Sequence, residues 1–272
     1  GEMRSPTQYP LAKDVVRWQG EPVAVVVANK RAVAEDALEL VEIDYEDLDA
    51  QLDMETAMDK STKVIHDDLG NNLFWTRTVN QGDVSEAFKQ SHIVEEVTLD
   101  FARHTGVTLE TRAIVADWDS SEERMTIYHN GQAPHMMQSI IAKHLNISEG
   151  LVRIISCDVG GSFGIKVHVY PDEMVTVAVS KLLKRPVKFV ADRLESYSTD
   201  IHSRCHKISG KIGVDDKGKI LAFEIDDLSG IGPFSVYPRT SAIETNQVLN
   251  LSAASYVVPN YKAKGTVVFQ NK

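Results

Sequence analysis

The sequence predicts an α+β protein, and three features lead there. Short apolar runs in β-type alternation recur along the chain, and two longer stretches place apolar residues at helical spacing. Between residues 205 and 228 two alternating runs flank the turn "DDKG", with no helix between them.

In chain order, "EPVAVVVA" (21–28) is a β-rich run, opened by Gly20 and Pro22. "KRAVAEDALELVE" (30–42) follows with Val33, Ala37, Leu40 and Val41 at helical spacing, then "VEIDYEDL" alternates as a strand. Strand, helix and strand within about 30 residues have the size of a βαβ unit. Residues 51–72, ending "HDDLGNN", lose periodicity and gather Asp, Gly and Asn, which marks a linker over 61–72. A first domain over 1–60 and a second over 73–272 are therefore expected.

In the second domain "HIVEEVTLDFA" (92–102), "AIVADWD" (113–119) and "ERMTIYHN" (123–130) read as strands. "PHMMQSIIAKHLN" (134–146) reads as a helix: Pro134 suits its first position, and Met137, Ile140, Ile141, His144 and Leu145 form one stripe. "LVRIIS" (151–156) is the next strand. In "PDEMVTVAVSKLLK" (171–184) Pro171, Asp172 and Glu173 fill the first turn and Lys181 and Lys184 the last, matching the helix dipole at both ends. Its body is apolar on nearly every side, so a buried helix is expected. "RPVKFVADR" (185–193) returns as a strand before the hairpin.

Composition narrows the function. The 272 residues are 43% hydrophobic and 25% charged, with a net charge of −10, which disfavours a nucleic-acid or anionic-membrane surface. No apolar run approaches the roughly 18 to 20 residues of a membrane span. Two isolated cysteines, Cys157 and Cys205, are too few for a disulfide framework or an iron–sulfur cluster, and suggest a reducing, cytoplasmic setting.

"DVGGSFGIK" (158–166) sets three glycines and a serine around Phe163, between a strand and a helix. Glycines let a backbone approach a ligand and turn successive N–H groups toward it; a tight turn is the plainer alternative. Neither the P-loop nor the dinucleotide fingerprint fits the spacing of Gly160, Gly161 and Gly164.

The run from "GQAPHMMQ" through "CDVGGSFGIK" to "VKFVADRLES" (131–196) resembles the molybdopterin-binding large subunit of the xanthine dehydrogenase and aldehyde oxidase family, most of all its carbon monoxide dehydrogenase-type large chains. "LAKDVVRWQGEPVAVVVANK" onward is similar to part of that family's α/β hammerhead domain, and "GDVSEAF", "LETRAIVADWD" and "YVVPNYKAKGTVVFQNK" match in order. The resemblance implies a partial hammerhead domain followed by a first molybdopterin-binding domain, a mixed sheet with packed helices. It implies a molybdenum hydroxylase whose molybdenum–molybdopterin cofactor, as a cytosine dinucleotide in some members, oxidises an aldehyde or similar small carbonyl compound with water-derived oxygen. Its partners would be the C-terminal half of the large subunit, an iron–sulfur small subunit and an FAD-binding medium subunit.

By position, Gln132 in "GQAPH" resembles the glutamine that hydrogen-bonds a molybdenum oxo ligand. Gly161, Ser162, Phe163 and Gly164 resemble the loop whose backbone faces the cofactor and whose Phe lines the approach to it. Ser162 stands where the family's Gly-Gly-Gly-Phe-Gly loop has its third glycine, which would narrow that wall. Val167 stands where purine-hydroxylating members carry a glutamate, which disfavours xanthine. The family's catalytic glutamate lies beyond residue 272, so no catalytic residue or protein metal ligand is assigned, and the chain alone is expected to be inactive. A non-catalytic assembly module of the same descent is the alternative.

The remaining candidates have plain readings. His202 and His206 lack the Glu of a metalloprotease pair, and His135, His144 and His168 lack ligand spacing. Cys157 reads as a small buried hydrophobe, and Glu110 and Arg112 as an ion pair rather than a contact on the pterin side. The acidic "EIDYEDLD" reads as a solvated strand edge.

Overall fold

The computed structural model describes residues 2–272. In chain order its elements are α1 (Arg31–Leu38), β1 (Leu73–Gln81), α2 (Val84–Lys89), β2 (Ile93–Phe101), β3 (Ala113–Asp119), β4 (Arg124–His129), α3 (Pro134–Leu145) and β5 (Val152–Ile155). There follow α4 (Pro171–Leu183), β6 (Val187–Val190), α5 (Arg193–Thr199), β7 (His206–Val214), β8 (Ile220–Gly230), α6 (Ile243–Leu251) and β9 (Asn260–Val268). They form two compact units, one from residues up to 7, 49–104 and 202–272, the other from 8–48 and 105–201.

The unit that carries the glycine loop has a four-stranded mixed sheet of order β5-β4-β3-β6. Ile114, Ala116 and Trp118 on β3 and Met125 and Ile127 on β4 enter one core, as the period of two requires. The parallel β4–β5 pair needs a crossover, which α3 supplies. Met137 and Ile141 of α3 and Val177 of α4 complete the core. In α3 the stripe holds at Met137, Ile140 and Ile141, but His144 is exposed and Ala142 is buried instead. Helix α4 starts at Pro171 as expected, and Lys184 ends it in the left-handed region at φ 54°. It is not buried all round: Val175, Thr176 and Val177 are buried, whereas Leu182 is 78% exposed.

The expected βαβ unit near the start is not formed. Only α1 appears, shorter than its pattern and with no buried residue, and neither 21–28 nor 41–48 is a strand. A strand exists by its lateral hydrogen bonds, and apolar alternation cannot supply the neighbour. Val25, Val27, Leu40 and Ile43 are all exposed. The acidic run is solvated as expected, but as extended chain rather than a sheet edge.

The other unit has a five-stranded sheet, β1-β9-β8-β7-β2, parallel only between β8 and β9, where α6 makes the crossover. The expected hairpin is β7–β8; Asp215 closes its turn by accepting the Lys217 and Lys219 N–H groups, both at 2.9 Å. The core holds Phe74, Trp75, Ile225, Leu249, Tyr261 and Phe269, with Phe74 and Phe269 edge to face at 5.4 Å. Asn72, at the end of the aperiodic stretch, is buried and donates to the carbonyls of Ala57 and Lys63. Every residue of the edge strand β2 is exposed, and Glu95, Glu96 and Asp100 discourage further pairing there.

Beneath α6, His206 Nδ1 meets the fully buried Asp227 at 2.7 Å, and Glu244 lies 3.7 Å from Nε2. Burial works against charge on His206, but Asp227 and Glu244 outweigh it and lift the pKa from 6.5 to about 9. Because the folded value lies above the unfolded one, this stabilisation is complete below pH 6.5 and is lost as pH rises through about 9.

Two outcomes follow. Ile127→Ala, in a site with no exposure, lowers the unfolding free energy by about 2 to 5 kcal/mol in denaturant titration. The thermal midpoint falls between pH 6.5 and about 9, and Asp227→Asn makes that fall shallower; an unchanged slope would dissociate His206 from the effect.

Candidate functional site

The glycine loop is fastened at both ends within its own unit. Where β5 ends, the Ser156 hydroxyl donates to the Gly131 carbonyl at 2.8 Å, tying the loop to the β4–α3 junction. Gly160 and Glu110 are bonded both ways: Gly160 N–H donates to Glu110 Oε2 at 2.8 Å, and Glu110 N–H to the Gly160 carbonyl at 3.3 Å. A methyl group at Gly160 would sit 2.5 Å from Glu110 Cβ, so this approach requires glycine. Gly161 and Gly164 have φ of 98° and 91°. Phe163 between them also has positive φ, 50°, and is 78% exposed. A non-glycine residue in that region is held there by its surroundings. At the far end the Tyr170 hydroxyl donates to the Ile165 carbonyl at 3.0 Å.

Inside the loop lies a buried cation. Lys166 is almost wholly enclosed, and its Nζ meets Glu110 Oε2 at 2.7 Å. An ammonium taken out of water needs such a partner. Burial pushes the Glu110 carboxyl up, but Lys166 and the Gly160 N–H outweigh it and hold its pKa below the usual carboxylate value. One carboxylate oxygen thus serves both the loop backbone and the lysine.

Gln132 sits exposed between β4 and α3, and its N–H donates to the Lys166 carbonyl at 3.1 Å. Its side-chain Oε1 accepts the Ser162 hydroxyl. Ser162 Oγ in turn accepts the Lys166 N–H at 3.1 Å. Among the described residues, the N–H groups of Gly161, Ser162, Phe163 and Gly164 have no protein acceptor. Four consecutive N–H groups of the loop are thus left without a protein acceptor, while the Glu110 carboxylate, itself partly exposed, is engaged by Gly160 and Lys166.

Behind the loop lies Arg112, 1% exposed. Its guanidinium donates to both oxygens of Asp172 at 2.6 and 2.7 Å, to Asp200 at 2.7 Å and to Thr199 at 2.8 Å, and stacks on Tyr170 at 3.7 Å. Burial opposes its charge, but Asp172 more than restores it, so Arg112 stays protonated.

Of the residues singled out in the sequence, Gln132 and Ser162 are in direct contact, and Gly161, Phe163 and Gly164 share their loop. Glu110 and Arg112 do not pair with each other: the first takes Lys166 and the second Asp172 and Asp200. Cys157 is exposed rather than buried, because β5 ends two residues earlier. His206 is engaged by carboxylates, and among the described residues no His, Cys, Asp and Glu cluster suits a metal ion. Lys166 was missed; a cation two residues after the last glycine was its signal.

A family model described as the molybdopterin cofactor-binding domain matches residues 65–272. One described as the a/b hammerhead domain of aldehyde oxidase and xanthine dehydrogenase matches residues 1–49. The chain is 34% identical to the nicotine 6-hydroxylase large subunit of Paenarthrobacter nicotinovorans, over 91% of this chain and 31% of that one. It is 28% identical to the carbon monoxide dehydrogenase large chain of Hydrogenophaga pseudoflava, over 96% and 34%. The crystal structure of quinoline 2-oxidoreductase from Pseudomonas putida 86 superposes with a TM-score of 0.94 at 29% identity, covering 100% of this chain and 35% of that one. The chain thus spans about a third of the length of these relatives. No helix among the described residues is long and apolar enough to cross a membrane. With the hammerhead match ahead of it and a cofactor-domain match over most of its length, the chain belongs to the molybdopterin cofactor-binding family of xanthine dehydrogenase and aldehyde oxidase large subunits.

Proposed function

We propose that this chain is the N-terminal, cofactor-facing part of a molybdenum hydroxylase large subunit. The observation that carries the reading is the donor-rich loop: four consecutive N–H groups without a protein acceptor, beside an exposed Gln132 whose oxygen is already bonded. A molybdopterin offers acceptors to such a surface, in its phosphate and in the oxygens around its metal, so the residues fit the group. Gly161, Ser162, Phe163 and Gly164 would hold it through their N–H groups, and Gln132 through its side-chain NH2. A carboxamide donates without titrating, so this contact does not depend on pH. When bound, the cofactor would supply the oxidising centre that takes electrons from the substrate as a water-derived oxygen is added. The exposed Phe163 ring would line the approach and exclude water.

In this reading residues 1–60 are the partial hammerhead domain, 61–72 a link and 73–272 the first molybdopterin-binding domain. The cofactor, as the cytosine dinucleotide, is shared with a C-terminal half of the large subunit that carries the catalytic glutamate, and the chain alone is inactive. Electrons leave through iron–sulfur and FAD-binding subunits in the cytoplasm. An aldehyde or small carbonyl compound is one substrate class. A second, the aromatic nitrogen heterocycles, is favoured by the relatives named for nicotine and quinoline and by an aromatic ring placed beside the cofactor loop.

The test is metal and pterin content of the complex purified from its source, followed by turnover of an aldehyde and of a quinoline-type ring. Molybdenum near one per chain is expected. Phe163→Ala should raise KM for the accepted class by about tenfold, the loss of one aromatic contact. A complex that contains this chain and no molybdenum would falsify the reading and favour an assembly module.

A further inference from the structure

The hydroxyl of Ser162 occupies a defined place in a chain of hydrogen bonds. A hydroxyl carries one proton and two lone pairs. The Lys166 N–H, at 3.1 Å, takes a lone pair, and the proton goes to Gln132 Oε1. The Gln132 backbone is tied to the same segment, because its N–H donates to the Lys166 carbonyl at 3.1 Å. Lys166 is itself fixed by Glu110 at 2.7 Å. Glu110, Lys166, Ser162 and Gln132 thus form one relay that runs from the ion pair of an enclosed lysine with a partly exposed carboxylate to an exposed carboxamide.

The two ends of a carboxamide are nearly alike in shape, and opposite in hydrogen-bonding character. An exposed glutamine would rotate between presenting its oxygen and presenting its NH2. We propose that Ser162 is a positioning residue, whose hydroxyl holds the Gln132 oxygen against the loop and leaves the NH2 group directed outward as a donor. The inference rests on the reading of Gln132 as a contact to the cofactor. It assigns to Ser162 a gain in orientation where the sequence suggested only a narrower wall.

The experiment uses the intact complex with Ser162→Ala, Ser162→Thr and wild-type chains. In the crystal structure of Ser162→Ala the Gln132 side chain is expected to leave its place or to occupy two. Molybdenum content stays as in the wild type, and kcat falls about fivefold, the loss of one net hydrogen bond, with little change in KM. Ser162→Thr, which keeps the hydroxyl, restores kcat and the single Gln132 position. Gln132 unmoved in Ser162→Ala, or a loss of kcat that Ser162→Thr does not restore, overturns the proposal. A wild-type complex without molybdenum defeats the functional reading instead, and the Gln132 position in the two variants still decides the hydrogen bond.

Discussion

The buried guanidinium of Arg112 is the constraint on which the loop-bearing unit depends. It lies one residue before β3 and reaches the first turn of α4 through Asp172 and the end of α5 through Thr199 and Asp200. Taking these charges out of water costs several kcal/mol per ion, so the cluster is a poor source of net stability. Separating its members is nevertheless costly, because any arrangement that does so leaves a buried charge without its partner. Tyr170 stacks on the guanidinium at 3.7 Å and uses its hydroxyl to hold the Ile165 carbonyl. The last anchor of the glycine loop is therefore placed by an arginine that touches none of the loop's glycines.

From that anchor the rest of the site follows in short polar steps. Lys166 stands next to Ile165 and is held by Glu110, which also holds Gly160 at the opposite end of the loop. Between these two points the backbone has little freedom. Gly161 and Gly164 take positive φ without cost, and Phe163 takes it under constraint. A loop built this way meets a ligand already ordered, which reduces the entropy lost on binding. Its flexibility of composition gives a particular shape rather than mobility.

Much of this was legible in the sequence, and the boundary has a physical reason. Strands β3 and β4 and helices α3 and α4 announce themselves locally, through alternation, through Pro134 and Pro171, and through the acids at 172 and 173. Helices α2 and α5 carried a local signal that went unread: Asp83 with Glu86, and Asp192 with Glu195, place an acid at the cap and a glutamate three residues on. The strands expected at 21–28 and 41–48 failed for the opposite reason, since alternation is local and pairing is not. The clamp between Glu110 and Lys166 joins residues 56 apart in the chain. Neither residue is unusual in its own segment, so only the fold makes them a pair. Cys157 shows the same limit: following an apolar run suggested burial, and the strand's early end decided exposure.

Gln132 and Ser162 stand between these cases, because the sequence named both but not their contact. Considered alone, a serine in a glycine loop adds a Cβ and a hydroxyl that narrow the loop. In the fold those atoms are directed at Gln132 rather than away from it. The size of the effect is bounded. One net hydrogen bond is worth about 1 kcal/mol, which biases two carboxamide orientations by about fivefold. A bias of that size improves a site without creating it. The ion pair of the enclosed Lys166 with Glu110 makes the bias dependable, because it keeps Lys166, and with it the N–H that engages Ser162, in one position.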